Sequence, residues 1–472
     1  MLFLKGKKNK KVPFKKLKEE SIFKEIFVRI KKRDFSGNTG LAIKNSTYQF
    51  FTTLIAKGGS FIFTAIIARL LMPELFGYYS LALSTILIFS AVSELGLNQT
   101  LIRFVSIEFN KKKNSLKSII LYFGKIKSIL ILISAFVLLF SANYLANNFF
   151  QKPVFLALLA GFLYIFFVQV TEFLKSLLQA SNKFLPILKR EIFFQIFRMI
   201  FVPLAIVLAI GYSLNHQRIL MWIIISLGLS MLIPGLFLLF DLRKEYSKKI
   251  SKRNKIKLPK TQKKTINGFL ISTATLFLSG AFFGNIDKIM LGKFVEGEFI
   301  GYYSASFSLI SALTPFVGIS SIVLLPIFSK LKGKSLKVGL KKSLKFTLIL
   351  SILGFIGTIL FSELVIKIVY GGGYLPSINI LRILALLLFI TPFLSLYQSY
   401  YISQAKPQIP AKLLIITTIL NLVLNYIFIT LLLPHGPIKA LYGAGIATIL
   451  SELFYLSSLM FIQRMILRRD DK

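Results

Sequence analysis

Long apolar stretches alternate with short polar segments along the chain, beginning near residue 46. Each stretch holds about 20 mostly apolar residues, the number that crosses a hydrocarbon core of roughly 30 Å. This pattern predicts about twelve transmembrane helices and no large soluble domain. The predicted spans are residues 46–70, 77–97, 118–142, 154–179, 187–210, 219–240, 267–294, 300–328, 344–369, 378–402, 411–433 and 440–461.

The two halves of the chain repeat one another. Residues 77–80 read Gly-Tyr-Tyr-Ser, residues 301–304 read the same, and the same offset places Arg69 on Lys293. Repetition in one register over this length indicates a duplicated architecture. Because each half holds six predicted spans, both halves enter the membrane from the same side and the repeat is parallel. We interpret the two tetrads as a turn and an interfacial tyrosine anchor.

Composition supports a membrane protein, since 55% of the residues are hydrophobic and the mean hydropathy is +0.71. The net charge of +41 would also suit a nucleic-acid binder. Most of the positive charge, however, lies in alternate loops, among them 111–113, 243–264 and 330–342. The positive-inside rule therefore predicts a multi-pass cell-membrane protein with both termini cytoplasmic, and nucleic acid is not an expected partner. The basic residues in the opposite loops are Arg69, Lys152, Arg218, Lys293 and Lys439.

These features predict five regions in an all-α polytopic membrane protein. Residues 1–45 form a basic cytoplasmic tail with an amphipathic helix, and they lack the apolar region of a signal peptide. An N-terminal six-helix lobe spans residues 46–240 and a C-terminal six-helix lobe spans 267–462. The basic cytoplasmic linker at 241–266 cannot form a packed core, so we expect the lobes to move relative to one another. Residues 463–472 form a second cytoplasmic tail.

Several kinds of chemistry are excluded by the residue types present. The chain has no cysteine and only two histidines, His216 and His435, both in predicted outer loops. A disulfide framework and a Cys/His zinc site are therefore not expected. No G-x-x-x-x-G-K-[ST] phosphate-binding loop occurs in the sequence. We predict neither a metal nor a cofactor, and no transport driven by ATP bound to this chain.

Ionisable residues within the predicted spans are the candidates for function, because inserting a charge in a bilayer costs about 2.5–3.5 kcal/mol. Lys57 lies near the middle of the first span. Thr53, Lys57, Ser60 and Thr64 share one helical face, which favours the wall of an aqueous cavity. The alternative is a lysine paired with a carboxylate between helices.

Two more cations are candidates for the same cavity. Lys288 occupies the position that Thr64 has in the first half, so the repeat predicts that it faces the same central space. The alternative is that Lys288 extends to the membrane interface. Arg198 lies deep enough in the fifth span to be a cavity cation. Lys57, Arg198 and Lys288 are therefore the predicted substrate-binding residues.

Two carboxylates are candidates for ion coupling, with H⁺ or Na⁺ as the ion. Glu172 lies one helical turn from Lys175, so an ion pair within the helix is the alternative to a group that takes up and releases a proton. Asp287 either packs beside Asn285 or neutralises a cation.

Short fragments occur in a fixed order along the chain. They read ARLLMPELFGYY at 68–79, ELGL at 94–97, LIR at 101–103, DKIMLG at 287–292, GYYSA at 301–305, PIFS at 326–329, LRILA at 381–385 and AKP at 405–407. From about residue 44 to 462 the chain resembles the polysaccharide and lipid-linked oligosaccharide flippases, O-antigen flippases among them, of the MATE-like multidrug/oligosaccharidyl-lipid/polysaccharide superfamily.

The resemblance implies a V-shaped pair of six-helix bundles that works by alternating access. The implied substrate is an oligosaccharide on a polyprenyl phosphate or diphosphate, moved from the inner to the outer leaflet with ion coupling, for surface polysaccharide or glycoprotein biosynthesis. Cations in the cavity suit the anionic phosphate. Glycosyltransferases or a polymerase are the implied partners. A lipid II-type flippase fits less well, because those relatives have more spans.

Two other function classes stay open. A small-molecule or cation antiporter of the same fold should have acidic cavity positions, whereas the three candidate cations make this cavity positive. A membrane glycosyltransferase or polymerase needs carboxylate-rich catalytic loops, and the outer loops here are short. We therefore expect a transporter and not an enzyme.

Overall fold

The computed structural model describes residues 37–109, 115–247, 249, 258–318, 333–404 and 406–470. Within these ranges all regular secondary structure is helical. The first half contains α1 (Gly37–Val92), α2 (Leu97–Phe109), α3 (Leu116–Asn143, continued by a π-helical segment at Tyr144–Phe150), α4 (Phe155–Ala180), α5 (Leu185–Gly211), α6 (His216–Leu229) and α7 (Leu232–Tyr246). The second half contains α8 (Lys260–Phe283), α9 (Ile286–Phe294), α10 (Gly297–Val317), α11 (Gly333–Val369), α12 (Ser377–Leu384), α13 (Leu386–Ser403), α14 (Gln408–Leu432) and α15 (Pro437–Asp470).

Nine helical segments within the described residues are long and apolar enough to cross a membrane. The prediction of an all-helical polytopic membrane protein is therefore confirmed. Several predicted spans are built from two helices in the structure: α6 with α7, α8 with α9, and α12 with α13. The end of the predicted eighth span, most of the linker and most of the N-terminal tail lie outside the described residues.

Helix α1 contains the first predicted span and most of the second, joined by a sharp turn at Met72. Met72 has φ 58° and ψ 170°, and the next residue is Pro73, which has no N–H to continue the helical ladder. A non-glycine residue in this backbone region costs of the order of 1–3 kcal/mol. The side chain of Met72 is exposed, so the turn depends on the packing of the helices on either side. This turn lies at the end of the bundle that is predicted to be outer.

The two halves meet most extensively where α1 packs on α10. A Cβ atom on Gly77 would lie 1.7 Å from the carbonyl oxygen of Gly297, and a Cβ on Gly301 would lie 2.1 Å from that of Pro73. Only hydrogen fits at these positions, so the two Gly-Tyr-Tyr-Ser tetrads pack together across the halves. The interpretation of the tetrads as a turn and an interfacial anchor is wrong, because both are helical and their tyrosines are buried.

Polar contacts join the halves around the same point. The side chain of Arg69 donates hydrogen bonds to the last carbonyls of α11, and Lys152 forms an ion pair of 2.5 Å with Glu296. The hydroxyl of Tyr374 donates to the carbonyl of Ala68 at 2.8 Å, next to the turn at Met72. We call these polar contacts together with the packed tetrads the outer-end contact.

Farther toward the predicted inner end, the halves meet again where α2 packs on α8. Gly96 has φ +69° in the break between α1 and α2, and a Cβ there would lie 2.4 Å from the hydroxyl oxygen of Thr273. The guanidinium of Arg103 lies 4.5 Å from the ring centroid of Phe269. The halves are therefore in contact at both levels, with a cavity between α1 and the second half.

Candidate functional site

A cavity of about 290 Å³ lies between α1 of the first half and three helices of the second half. Its walls combine hydroxyl groups, one aromatic ring, one ammonium group and one carboxylate. The polar lining comes from Thr53 and Lys57 on α1, Ser311 and Thr314 on α10, Thr391 and Ser395 on α13, and Glu452 on α15. Phe307 on α10 supplies the aromatic ring.

Lys57 projects from α1 into this cavity. Its ammonium group donates a hydrogen bond to the hydroxyl oxygen of Ser311 at 3.3 Å, across the boundary between the halves. The side chain is exposed, and no ion pair of Lys57 occurs among the described residues. The direct partner of the ammonium group is a hydroxyl and not a carboxylate, so the group is available to an anionic ligand.

Arg198 lies behind the α1 wall rather than in the lining of the cavity. It donates to the hydroxyl oxygen of Ser60 at 2.9 Å, and its guanidinium lies 4.5 Å from the ring centroid of Phe63. Ser60 is one turn from Lys57 on the polar face of α1. Gly59 allows α1 and α5 to lie this close together, because a Cβ at Gly59 would lie 2.4 Å from the side-chain oxygen of Gln195 on α5.

Lys288 also lies behind a wall of the cavity. Its ammonium nitrogen lies 5.3 Å from the ring centroid of Phe307, whose ring lines the cavity. A cation on the face of an aromatic ring is stabilised by the ring's negative electrostatic potential. Lys288 is therefore placed to raise the positive potential around the cavity, with Phe307 between it and the space itself.

Asp287 is the centre of a buried polar cluster inside the second half. Its carboxylate accepts hydrogen bonds from the hydroxyl of Tyr303 at 2.5 Å, the hydroxyl of Thr448 at 2.8 and 2.9 Å, and the amide of Asn425 at 2.9 Å. These partners lie on α10, α15 and α14, so one carboxylate joins four helices including its own. Asn285, the neighbour expected from the sequence, donates to Ala281 instead.

Glu172 lies in α4 and is paired with Lys175 at 3.1 Å, one turn along the same helix. Neither residue lines the cavity. Of the five residues predicted to act in binding or coupling, the structure brings Lys57 into the cavity and places Arg198 and Lys288 behind its walls. Asp287 does not line the cavity but lies next to it, immediately before Lys288 on α9, whereas Glu172 lies elsewhere in the first half.

Glu452 lines the cavity from α15, and the sequence did not single it out. The residue is 9% exposed, and its Oε2 atom accepts no hydrogen bond from the described residues. Glu452 follows Thr448 by one helical turn, which places it beside the Asp287 cluster on the cavity side. One signal was available, because an acid near the middle of a predicted span is costly.

The helices and the cavity define a multi-pass membrane protein in which two halves enclose a polar space. The model of the polysaccharide biosynthesis protein family matches residues 42–332, so the chain belongs to that family. The resemblance noted from the sequence is confirmed.

Two solved structures share the fold. The chain is similar to the lipid II flippase MurJ in an inward closed conformation, with a TM-score of 0.65, 20% identity and coverage of 89% of this chain and 87% of that one. It is also similar to an inward-facing multidrug resistance MATE family transporter of the MOP superfamily, with a TM-score of 0.63, 14% identity and coverage of 89% and 96%. These similarities confirm the predicted MATE-like fold.

A curated relative matches over part of the chain. It is the uncharacterized membrane protein MJ1375 of Methanocaldococcus jannaschii, 26% identical over 237 residues. The match covers 49% of this chain and 55% of that protein, so the chain spans about half the length of this relative.

Proposed function

We propose that the protein is a flippase that moves an oligosaccharide on a polyprenyl phosphate or diphosphate from the inner to the outer leaflet. The observation that carries the proposal is the exposed ammonium group of Lys57, whose direct partner in the cavity between the halves is a hydroxyl and not a carboxylate. A phosphate binds such a group through charge-assisted hydrogen bonds, which offset the cost of bringing its charge into the membrane. Membership of the polysaccharide biosynthesis family supports a glycan as the cargo.

Alternating access fits the way in which the halves meet. With both termini in the cytoplasm, the outer-end contact closes the cavity toward the outside. Movement of cargo to the outer leaflet then requires that Gly77 and Gly301 separate while the two lobes, 46–240 and 267–462, move as bodies. The basic linker between the lobes is long enough to permit this.

A flipping assay tests the proposed function. The purified chain is reconstituted into liposomes that contain a lipid-linked oligosaccharide, and cleavage of the glycan by an external glycosidase is followed. In protein-free liposomes, the glycosidase should cleave only the half of the glycans that faces outward at the start. With the protein present, we expect the cleaved fraction to rise well above this half, because flipping brings the inner glycans to the outer leaflet.

One observation favours a second function, export of cationic compounds, because the cavity also contains the carboxylate of Glu452. Uptake of a cationic dye by the same proteoliposomes separates the two. Dye transport without glycan exposure would contradict the flippase proposal and support the antiporter.

We infer that Asp287 is the better candidate of the two carboxylates for coupling to H⁺ or Na⁺. Its oxygens accept hydrogen bonds from polar groups on three other helices, so protonation or cation binding at Asp287 would alter contacts among four helices of the C-terminal lobe. Glu172, in contrast, is neutralised by Lys175 on its own helix.

Flipping under an imposed H⁺ or Na⁺ gradient tests this choice. We expect Asp287→Asn to remove the response of the flipping rate to the gradient, because the amide can neither release a proton nor neutralise a cation. Glu172→Gln is the matched control and should keep the response. A normal response in Asp287→Asn, or its loss only in Glu172→Gln, would reverse the assignment.

A further inference from the structure

Three threonine hydroxyls of the cavity lining are arranged to accept hydrogen bonds. Thr53 donates its proton to the carbonyl of Gln49 at 3.0 Å, and Thr314 donates to the carbonyl of its own helix at 2.8 Å. Thr391 on α13 does the same at 2.8 Å. A hydroxyl has one proton and two lone pairs, so each of these oxygens has only acceptor capacity left for a ligand.

Glu452 adds the strongest hydrogen-bond acceptor to the lining of the cavity. Its side chain is more than nine-tenths buried, and Oε2 accepts no hydrogen bond from the part of the chain that the structure describes. Buried polar atoms in proteins are nearly always hydrogen-bonded. Asp287, the other carboxylate of this region, already has donors from Tyr303, Thr448 and Asn425. Of these two carboxylates, Glu452 is therefore the one that lines the cavity and has acceptor capacity left for a ligand.

A ligand that matches these walls combines several hydrogen-bond donors with a negative charge. The donors face Glu452 and the threonine hydroxyls, and the negative charge faces Lys57. A sugar that carries a phosphate has both features, and the C–H face of its ring can pack on Phe307. The volume of the cavity, about 290 Å³, is just below the roughly 300–1,000 Å³ of ligand pockets, which suits one sugar ring better than an oligosaccharide.

Building on the flippase function proposed above, we propose that Glu452 is a specificity-determining residue that binds the sugar next to the phosphate. Its carboxylate accepts hydrogen bonds from a hydroxyl or an acetamido N–H of that sugar, while Lys57 binds the phosphate. The cavity therefore distinguishes a glycan-loaded carrier from the bare carrier lipid. The more distant sugars are not selected at this site.

Two probes separate recognition of the sugar from recognition of the phosphate. One is a short-chain prenyl diphosphate, and the other is the same molecule with one N-acetylhexosamine attached. Binding of each probe to the full chain in detergent is measured by titration calorimetry. We expect Glu452→Ala to raise the Kd of the sugar-bearing probe roughly tenfold and that of the bare probe less than about twofold. Lys57→Ala should raise the Kd values of both probes.

Controls guard against an effect on folding. Ser451→Ala alters the neighbouring residue on α15, which is buried and bonds to its own helix, and it should leave both Kd values unchanged. Glu452→Gln keeps the shape of the side chain and one acceptor oxygen. Should Glu452→Ala not fold, Glu452→Gln serves as the test and should weaken binding of the sugar-bearing probe alone, by a smaller factor.

Two outcomes overturn the role of Glu452. Equal weakening of both probes would mean that Glu452 acts through Lys57 or the diphosphate, and unchanged affinity for both would place the sugar elsewhere. A different result, in which the unaltered chain binds neither probe, would contradict the flippase proposal itself.

Discussion

Replacing Lys57 by alanine is expected to reduce flipping about a hundredfold while the fold stays intact. The ammonium group is the charge in the cavity that a phosphate can reach directly, and Ser311 alone cannot neutralise an anion. Bringing a charge into the membrane without a partner costs about 2.5–3.5 kcal/mol, which corresponds to the expected change in rate. The rate is measured in the flipping assay, and folding is checked by thermal unfolding in detergent.

The matched control is Lys125→Ala, which removes an exposed lysine of α3 that does not line the cavity. That variant should flip at the normal rate. Lys57→Arg retains the charge and should recover part of the activity. Undiminished flipping by Lys57→Ala would exclude Lys57 from substrate binding.

Gly77→Val is expected to abolish transport because the outer-end contact can no longer close. Any Cβ at position 77 would lie 1.7 Å from the carbonyl oxygen of Gly297, so the halves must separate to accommodate it. A transporter that cannot close its outer end cannot alternate between a state open to the inner side and a state open to the outer side. We expect the cavity of this variant to be open to the outer side at all times.

The absence of cysteine makes this expectation measurable. Thr53→Cys places one thiol in the lining of the cavity, and a membrane-impermeant thiol reagent is added from outside. Labelling should be faster when Gly77→Val is also present. Gly357→Val is the control, because no atom lies within 4 Å of a Cβ built at Gly357. Slow labelling together with normal transport in Gly77→Val would show that the contact does not form the gate.

Hydropathy and charge placement predicted the helical fold because a membrane-spanning helix must be apolar over about 20 residues and basic loops favour the cytoplasmic side. They did not predict the turn at Met72, where two spans join with almost no loop. Hydropathy depends on the types of the side chains and gives no information on the backbone dihedral angles of a single residue. The tetrads were found as a repeat, but their role was misread. Whether a glycine serves a turn or a close helix contact depends on what packs against it, and a single sequence does not show its neighbours.

The residues of the cavity were likewise predicted only in part. Lys57 stood out because a lysine in mid-span with polar residues on its own face is rare, and the structure places it in the cavity. Arg198 and Lys288 point toward the same region, but they lie against the rings of Phe63 and Phe307. The sequence of α15 does not reveal which face is turned inward, so Glu452 was missed.

The contact between the tetrads also follows the internal repeat of the chain. In a dimer of two identical chains, the residues at the two-fold axis of a self-complementary interface meet their own copies. Gly77 and Gly301 are equivalent in the repeat, and both lie where the halves approach so closely that a Cβ would collide with backbone. The contact therefore has the self-complementary form that two equivalent six-span units produce when they pack on one another. Lys57 and Glu452, which line the cavity from opposite halves, do not follow this symmetry, so the two walls of the cavity differ in charge.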